Sequence, residues 1–263
     1  MPQSPWRSMM DHRDGGKRLP MPWRQMTQHD ICFREGQVSI VAAGPGVGKT
    51  SFVLNYLVAC HKAGHPVPTL YLSPDSDAMT IIPRIVATMR KQHLANVLGD
   101  FDRAGPERSD HLELVKELSE IQLSFQSSPT YGDVIEEVRA YEEVHGYFPQ
   151  LIVLDNTRNV YSEGGADADH QRHSQTLDFF HELSRITGAH CMALHHLVGE
   201  YEDGDKEPHL SALSGKVGKM PRLALNLWKP DDQTMSAYVA KNSNGKRDFN
   251  VEFVFDGEMQ LIY

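Results

Sequence analysis

The 263-residue sequence has little of what several protein classes require. Cysteine is scarce. Cys32, Cys60 and Cys191 are odd in number, scattered and set among apolar neighbours, which excludes a disulfide framework and points to reduced, buried thiols in a cytosolic protein. No Cys/His cluster has zinc spacing. His195 and His196 are adjacent on what reads as a strand, so their rings leave on opposite faces and suit no single metal ion. No apolar run is long enough to span a membrane, and the N-terminus lacks the apolar segment of a signal peptide. The expected setting is therefore cytoplasmic, with no membrane partner. Positive charge is not in surplus either. Lys and Arg total 26 against 35 Asp and Glu, a formal net charge of −9, which argues against a surface coated with basic patches but leaves room for a local basic channel. No internal repeat is present.

What the chain does have is one stretch around which the rest is arranged: Gly44-Pro45-Gly46-Val47-Gly48-Lys49-Thr50, followed by Ser51. It follows the apolar run 38–43 and precedes the apolar-rich run 51–58, so it reads as strand, glycine-rich turn and helix. Glycines let successive backbone N–H groups turn inward as an anion nest at a helix N-terminus. Lys49, exposed at such a nest, then reaches the terminal phosphates of a nucleotide, and the Thr50 hydroxyl suits Mg²⁺. Leu151-Ile152-Val153-Leu154-Asp155 is the second strong signal. Continuous apolarity predicts a central strand covered on both faces, and Asp155 at its tip is a second candidate Mg²⁺ residue beside Thr50. The strands nearest the γ-phosphate offer no second cation beside Lys49.

Residues 1–30 are polar and broken by Gly15-Gly16, Pro20 and Pro22, and read as a poorly structured arm whose Trp6 and Trp23 pack on the domain or on a neighbouring subunit. Residues 31–263 read as one domain. A strand over 69–73 ends at Pro74-Asp75-Ser76-Asp77, where Asp75 is expected to face the ligand edge and Asp77 to cap a helix over 80–92. Residues 94–109 contain Gly, Asp and Pro and read as either a loop or an exposed short helix. Helical patterns follow over 111–118, 133–145 and 174–187, with strands at 121–125 and 189–194. On the helix over 174–187, Leu177, Phe180, Leu183 and Ile186 are the expected apolar positions. Residues 158–173 and 198–221 read as loops, and the length of the second marks it as functional or disordered. Strands at 223–228, 236–241, 249–255 and 259–263, with the Asn244-Gly245 and Asp256-Gly257 turns, predict antiparallel hairpins joined to a parallel core. The fold class is α/β.

The order of these blocks resembles the RecA-like ATPase core of the bacterial replicative helicases of the DnaB type. The resemblance runs from the phosphate loop through Tyr71-Leu72-Ser73-Pro74-Asp75, Leu151–Asp155, Ala193-Leu194-His195-His196-Leu197 and Leu210–Gly215 to Lys241-Asn242-Ser243-Asn244-Gly245. It covers about residues 30–263, and the family's N-terminal collar and linker helix are absent or reduced to residues 1–30. It implies a RecA-like P-loop NTPase fold, ATP and Mg²⁺ as cofactors, single-stranded DNA as a partner, and a homo-oligomer of hexameric kind with a replication partner protein. By this resemblance Asp75 occupies the place of the glutamate that polarises the attacking water, and His196 that of the glutamine that senses the γ-phosphate. Lys241 matches the lysine that acts across a subunit interface. The partner arginine falls at Ser243, a departure for which Arg247 is the nearest replacement and Lys246 the next. Loops 158–173 and 198–221 match those that touch DNA, although the first has few basic residues.

Three functions fit. The leading one is a Mg²⁺-dependent ATPase working on single-stranded DNA as a minimal ring helicase or translocase. A RecA/RadA-like recombination ATPase differs by forming a filament. A nucleotide-gated accessory or loader module with weak hydrolysis is favoured by Ser243, the shortened carboxylate of Asp75 and the acidic charge.

Overall fold

A computed structural model describes residues 16–105, 110–161, 169–213 and 217–263. Among these residues nine strands form one sheet in the order β3-β2-β4-β5-β1-β6-β7-β8-β9. They are β1 (Val38–Ala43), β2 (Thr69–Leu72), β3 (Ile121–Ser124), β4 (Leu151–Leu154), β5 (His190–His196), β6 (Leu223–Asp231), β7 (Thr234–Asn242), β8 (Asn250–Asp256) and β9 (Leu261–Ile262). From β3 to β6 every pairing is parallel, and from β6 to β9 every pairing is antiparallel. The expected parallel core with C-terminal hairpins is what forms. All side chains of β1, β2 and β4 are buried, the consequence of continuous apolar runs covered by helices on both faces.

The helices are α1 (Arg24–Thr27), α2 (Lys49–Lys62), α3 (Ala78–Arg90), α4 (Leu94–Ala104), α5 (His111–Lys116), α6 (Tyr131–His145) and α7 (Asp169–Thr187). One core layer joins α2 and α3 to the sheet through Phe52, Tyr56, Ile81 and Ile85. The other joins α6 and α7 through Val134, Val138, Leu177 and Phe180. Local chemistry sets the helix starts. The Asp77 side chain accepts from Thr80 N at 2.8 Å, and Thr130 and Asp133 form a reciprocal capping box.

Five sequence expectations need correction. The segment 16–30 is not a poorly structured arm: Leu19, Trp23 and Met26 are buried, and Trp23 packs on the domain as expected, against Phe52, Tyr56 and Phe253. Its proline-broken polar composition hid Leu19 and Met26 as anchors beside Trp23; Trp6 lies outside the described residues. Residues 94–104 form α4, the helical one of the two readings, but it is not simply exposed: its Val97 and Phe101 are buried against the Val86–Ala87 side of α3. Helix α7 begins at Asp169, five residues before the expected start at Ser174, so part of the polar stretch 158–173 is helix. Ile186 on that helix is 70% exposed, whereas Leu177, Phe180 and Leu183 are buried as expected. Cys60 and Cys191 are buried, but Cys32 is only half-buried.

Candidate nucleotide site

The phosphate loop connects β1 to α2 at the C-terminal edge of the parallel strands, the edge at which open α/β sheets bind ligands. Gly46 and Gly48 adopt φ of +73° and +122°, a backbone that side chains with a Cβ rarely accept. The backbone N–H groups at the start of α2 have no side-chain cap, so they are available to an anion. Gly46, Gly48, Lys49, Thr50 and Ser51 line a cavity of about 370 Å³ together with Asp75, Asp155 and His196.

Asp155, at the tip of β4, is the hub of this cavity. Its Oδ2 accepts from Thr50 Oγ1 at 2.6 Å and from the Tyr71 hydroxyl at 2.8 Å. Burial pushes the Asp155 carboxyl up, opposed by those two hydrogen bonds and by the Lys49 charge. Asp75 is exposed on the cavity wall and accepts from Asn156 Nδ2 at 3.2 Å, which ties the end of β2 to the end of β4.

Lys49 is buried, not exposed on the nest as a free phosphate loop suggests. Its ammonium donates to the carbonyls of Ala43 and Gly44 at 3.1 and 3.2 Å and lies 3.1 Å from His196 Nδ1. Burial brings its pKa down to about 8, with the charges of Asp155 and Asp75 pulling the other way. Burial, then the Lys49 charge, lowers His196 to about 4, so the imidazole is neutral. With Nδ1 accepting from an ammonium, the proton of neutral His196 is on Nε2, which makes that ring a hydrogen-bond donor at its far nitrogen. His195 and His196 do leave β5 on opposite faces: His195 contacts Thr157, and His196 contacts Lys49.

The outer face of the loop is covered. A side chain at Gly44 would land on the Glu202 carbonyl, and Gly204 packs against Val47. Pro45 is exposed. Residues 199–204 of the long segment after β5 are thereby wedged on the phosphate loop.

Lys241 and Arg247 are not part of this cavity. Lys241 pairs with Ala224, and Ala224 with Ile40, near the start of β1 and toward the opposite edge of the parallel sheet. The turn beyond Lys241 reaches that edge, where Asn244 Nδ2 donates to Gln37 Oε1 at 3.2 Å. Arg247 is exposed and pairs with Asp248 at 3.2 Å. Conversely, the site includes residues that sequence spacing gave no reason to select. Tyr71 and Asn156 hold Asp155 and Asp75 from outside the cavity lining. Arg84 supplies a cation from the middle of α3, and Lys229 supplies another from β6, its ammonium 4.1 Å from the Phe255 ring centre. Gln260 closes the site from beyond β8, accepting from Ser51 Oγ at 2.7 Å and from Asn55 Nδ2 at 2.6 Å. The further cations thus come from a helix and from the far end of β6, and it is Lys229 on that strand that corrects the expected lack of a second cation on the strands.

A family model described as an AAA domain matches residues 14–198. The chain belongs to that family. This AAA-domain protein is 33% identical over 266 residues to the Gene 65 protein of Mycobacterium phage L5, a match spanning 96% of each chain. It is 36% identical over 216 residues to the Gene 65 protein of Mycobacterium phage D29, over 80% of this chain and 89% of that one. The fold is shared with a solved structure described as an ATPase domain, at a TM-score of 0.81 and 15% identity, over 98% of this chain and 94% of that one. It is shared with a DnaB-like replicative helicase at a TM-score of 0.80 and 15% identity, over 98% of this chain and 64% of that one. The AAA-domain chain thus has the RecA-like P-loop fold in the form seen in the DnaB-like helicases. Among its described residues no helix is long and apolar enough to cross a membrane.

Proposed function

We propose that the protein is a Mg²⁺-dependent ATPase that acts on single-stranded DNA as a homo-oligomer, a minimal ring helicase or translocase with hexameric symmetry. The observation that carries this reading is the meeting of Lys49, Thr50, Asp75, Asp155 and His196 in one cavity at the phosphate loop. The backbone nest and Lys49 bind the β- and γ-phosphates of ATP. Asp75 takes the proton of the water that attacks the γ-phosphorus, and Asn156 orients that carboxylate. His196 donates Nε2–H to the γ-phosphate oxygen and so distinguishes ATP from ADP. The donor set fits Mg²⁺, a hydroxyl beside a carboxylate at the phosphate nest: Thr50 and Asp155 would hold the ion. When bound, it offsets the negative charge of the β- and γ-phosphates.

Lys241 and Arg247 are assigned to the neighbouring subunit's site. Their position away from the chain's own phosphate loop supports this, because a cation there reaches a phosphate only across an interface. The test is complementation. Lys49→Ala keeps the hairpin and Lys241→Ala keeps the phosphate loop, so an equimolar mixture assembles some sites with both parts intact. ATPase activity above the sum of the separate variants, in a species sized as an oligomer, is the expected result. Failure of Lys49→Ala to abolish hydrolysis would remove the phosphate-loop assignment.

A nucleotide-gated accessory module is the second reading, favoured by the uncharged Ser243 and by the pairing of Arg247 with Asp248. Its signature in the same experiment is slow turnover, independent of enzyme concentration, from a monomer. A filament whose length grows with DNA indicates the recombination-type ATPase instead.

A further inference from the structure

Behind the cavity, three elements meet on one hydroxyl. Thr157, in the single helical turn 157–159 that follows Asp155 and Asn156, has its Oγ1 at 3.2 Å from His195 Nδ1 and at 3.2 Å from His173 Nδ1. His195 is near the end of β5, next to His196, and His173 is on the second turn of α7. The two rings stand edge to face with centres 4.7 Å apart, and all three residues are buried.

The hydroxyl has one proton and two lone pairs, so it donates to at most one ring, and the arrangement that uses its proton between the two rings has it accept from the other. The remaining nitrogen of His195, Nε2, is buried with no hydrogen-bond partner among the described residues. Orphaned buried donors are rarer than under-used acceptors, which assigns the His195 proton to Nδ1. The bonds then run in one direction: His195 Nδ1–H to Thr157 Oγ1, and Thr157 O–H to His173 Nδ1, with the His173 proton on Nε2. A leucine or valine at any of these positions would fill the same space more simply. A polar chain sealed in a core fixes mutual orientation more narrowly than apolar packing does, because each bond fails beyond a few tenths of an ångström or a poor angle.

We propose that Thr157 and His173 are positioning residues for hydrolysis, holding His195 and, through the adjoining peptide, His196 in register with Lys49 and with the Asp155 end of β4. The inference rests on the ATPase reading above for its consequence, but its geometry is independent of that reading. Neither residue lines the cavity, and both act through the ends of β4 and β5 from the side of α7.

The experiment compares full-length Thr157→Val, which keeps shape and loses the hydroxyl, with Thr157→Ser, which restores it. Steady-state ATPase activity, thermal melting and histidine-ring ¹⁵N NMR are measured on each. Thr157→Val is expected to keep its KM for ATP within about 2-fold while kcat falls roughly 10-fold, the loss that one misplaced buried hydrogen bond produces. Thr157→Ser should recover most of that loss. In the wild type, NMR should find His195 protonated on Nδ1 and His173 on Nε2, and Thr157→Val should change both signals. A kcat for Thr157→Val within about 2-fold of wild type overturns the positioning role. Finding the two rings protonated on the same nitrogen, both Nε2 or both Nδ1, overturns the bond chain itself. If Thr157→Val does not fold, His173→Phe keeps the ring against His195 without the acceptor and is expected to show the same kcat loss. Wild-type protein that does not hydrolyse ATP would sink the proposed function alone, while the NMR result still decides whether the chain of bonds exists.

Discussion

At the scale of single residues, the site depends on how Asp155 is held. Two hydroxyls donate to the same carboxylate oxygen, and the one from Tyr71 comes from a fully buried ring on β2. That arrangement leaves Oδ1 free of those donors and sets its direction. Tyr71→Phe should therefore fold, lose about 1.5–3 kcal/mol for a buried bond to a charged acceptor, and require a higher Mg²⁺ concentration for half-maximal hydrolysis. Magnesium titrations of ATPase activity check this, and an unchanged Mg²⁺ requirement would show that Thr50 alone orients Asp155. Arg84 poses a different question. It lines the cavity with Asp75 and Asp155, where its charge meets whatever anion enters. Arg84→Ala is expected to weaken binding of ATP more than of ADP, by roughly 10-fold, as loss of one charge-assisted contact would. Equal affinities for both nucleotides in wild type and variant would place Arg84 outside the phosphate contacts.

At the scale of elements, the segment 199–204 and the phosphate loop are one packed unit. A Cβ at Gly44 would meet the Glu202 carbonyl, so Gly44→Ala must push that segment away or distort the loop. The expected outcome is a fall of several degrees in melting temperature together with a raised KM for ATP, whereas Gly46→Ala, which meets no neighbouring atom, acts only through its φ of +73°. Matching melting curves for Gly44→Ala and wild type would show that the two segments are not locked together. This coupling was hidden in the sequence because residues 198–221 have no period, and a contact between a loop and a loop leaves no pattern to read. Elements with a period were readable: the strand–loop–helix unit at 38–62, the apolar strand ending at Asp155, and the turn-bounded hairpins after residue 222. So was Asp77 as a cap, since an acidic residue just before an apolar helical pattern has few other uses. Arg84, Lys229 and Gln260 were not readable. Each reaches the cavity from an element whose own sequence pattern reports only packing on the sheet, and their convergence is a property of the fold.

At the scale of the whole molecule, buried histidine sets the acid limit of stability. His190 is buried between Ser39, 2.8 Å from Nε2, and the Arg34 carbonyl, 2.8 Å from Nδ1, a pairing that a neutral ring protonated on Nδ1 satisfies. Burial lowers its pKa to about 4, against a raising contribution from the Arg34 carbonyl. Burial and the neighbouring His173 likewise lower His195 to about 3. A depressed histidine pKa means that the unfolded chain takes up protons first. The stabilisation is complete above the ordinary histidine value of about 6.5 and is lost as pH falls from there through the folded values. At pH 5 the loss from His190 alone is on the order of 2 kcal/mol. Chemical denaturation at pH 7.5 and pH 5 should show this, and His190→Asn should flatten the difference between the two. A stability that rises between pH 7.5 and pH 5 would mean that these rings gain a proton partner on folding.

The separation of the phosphate loop and the Lys241 hairpin on opposite sides of the sheet has a further consequence for how activity is counted. An interface that joins one to the other is made of two different surfaces, so it cannot be satisfied by a symmetric pair. A dimer would have one completed site and, at its two ends, one lone loop and one lone hairpin. Any open chain of subunits keeps that single deficit whatever its length, and only closure on itself removes it. In the proposed assembly the yield of working sites per subunit would therefore climb with chain length toward a ceiling that a ring reaches at once, and the shape of that climb against protein concentration would distinguish the two assemblies without an image of either.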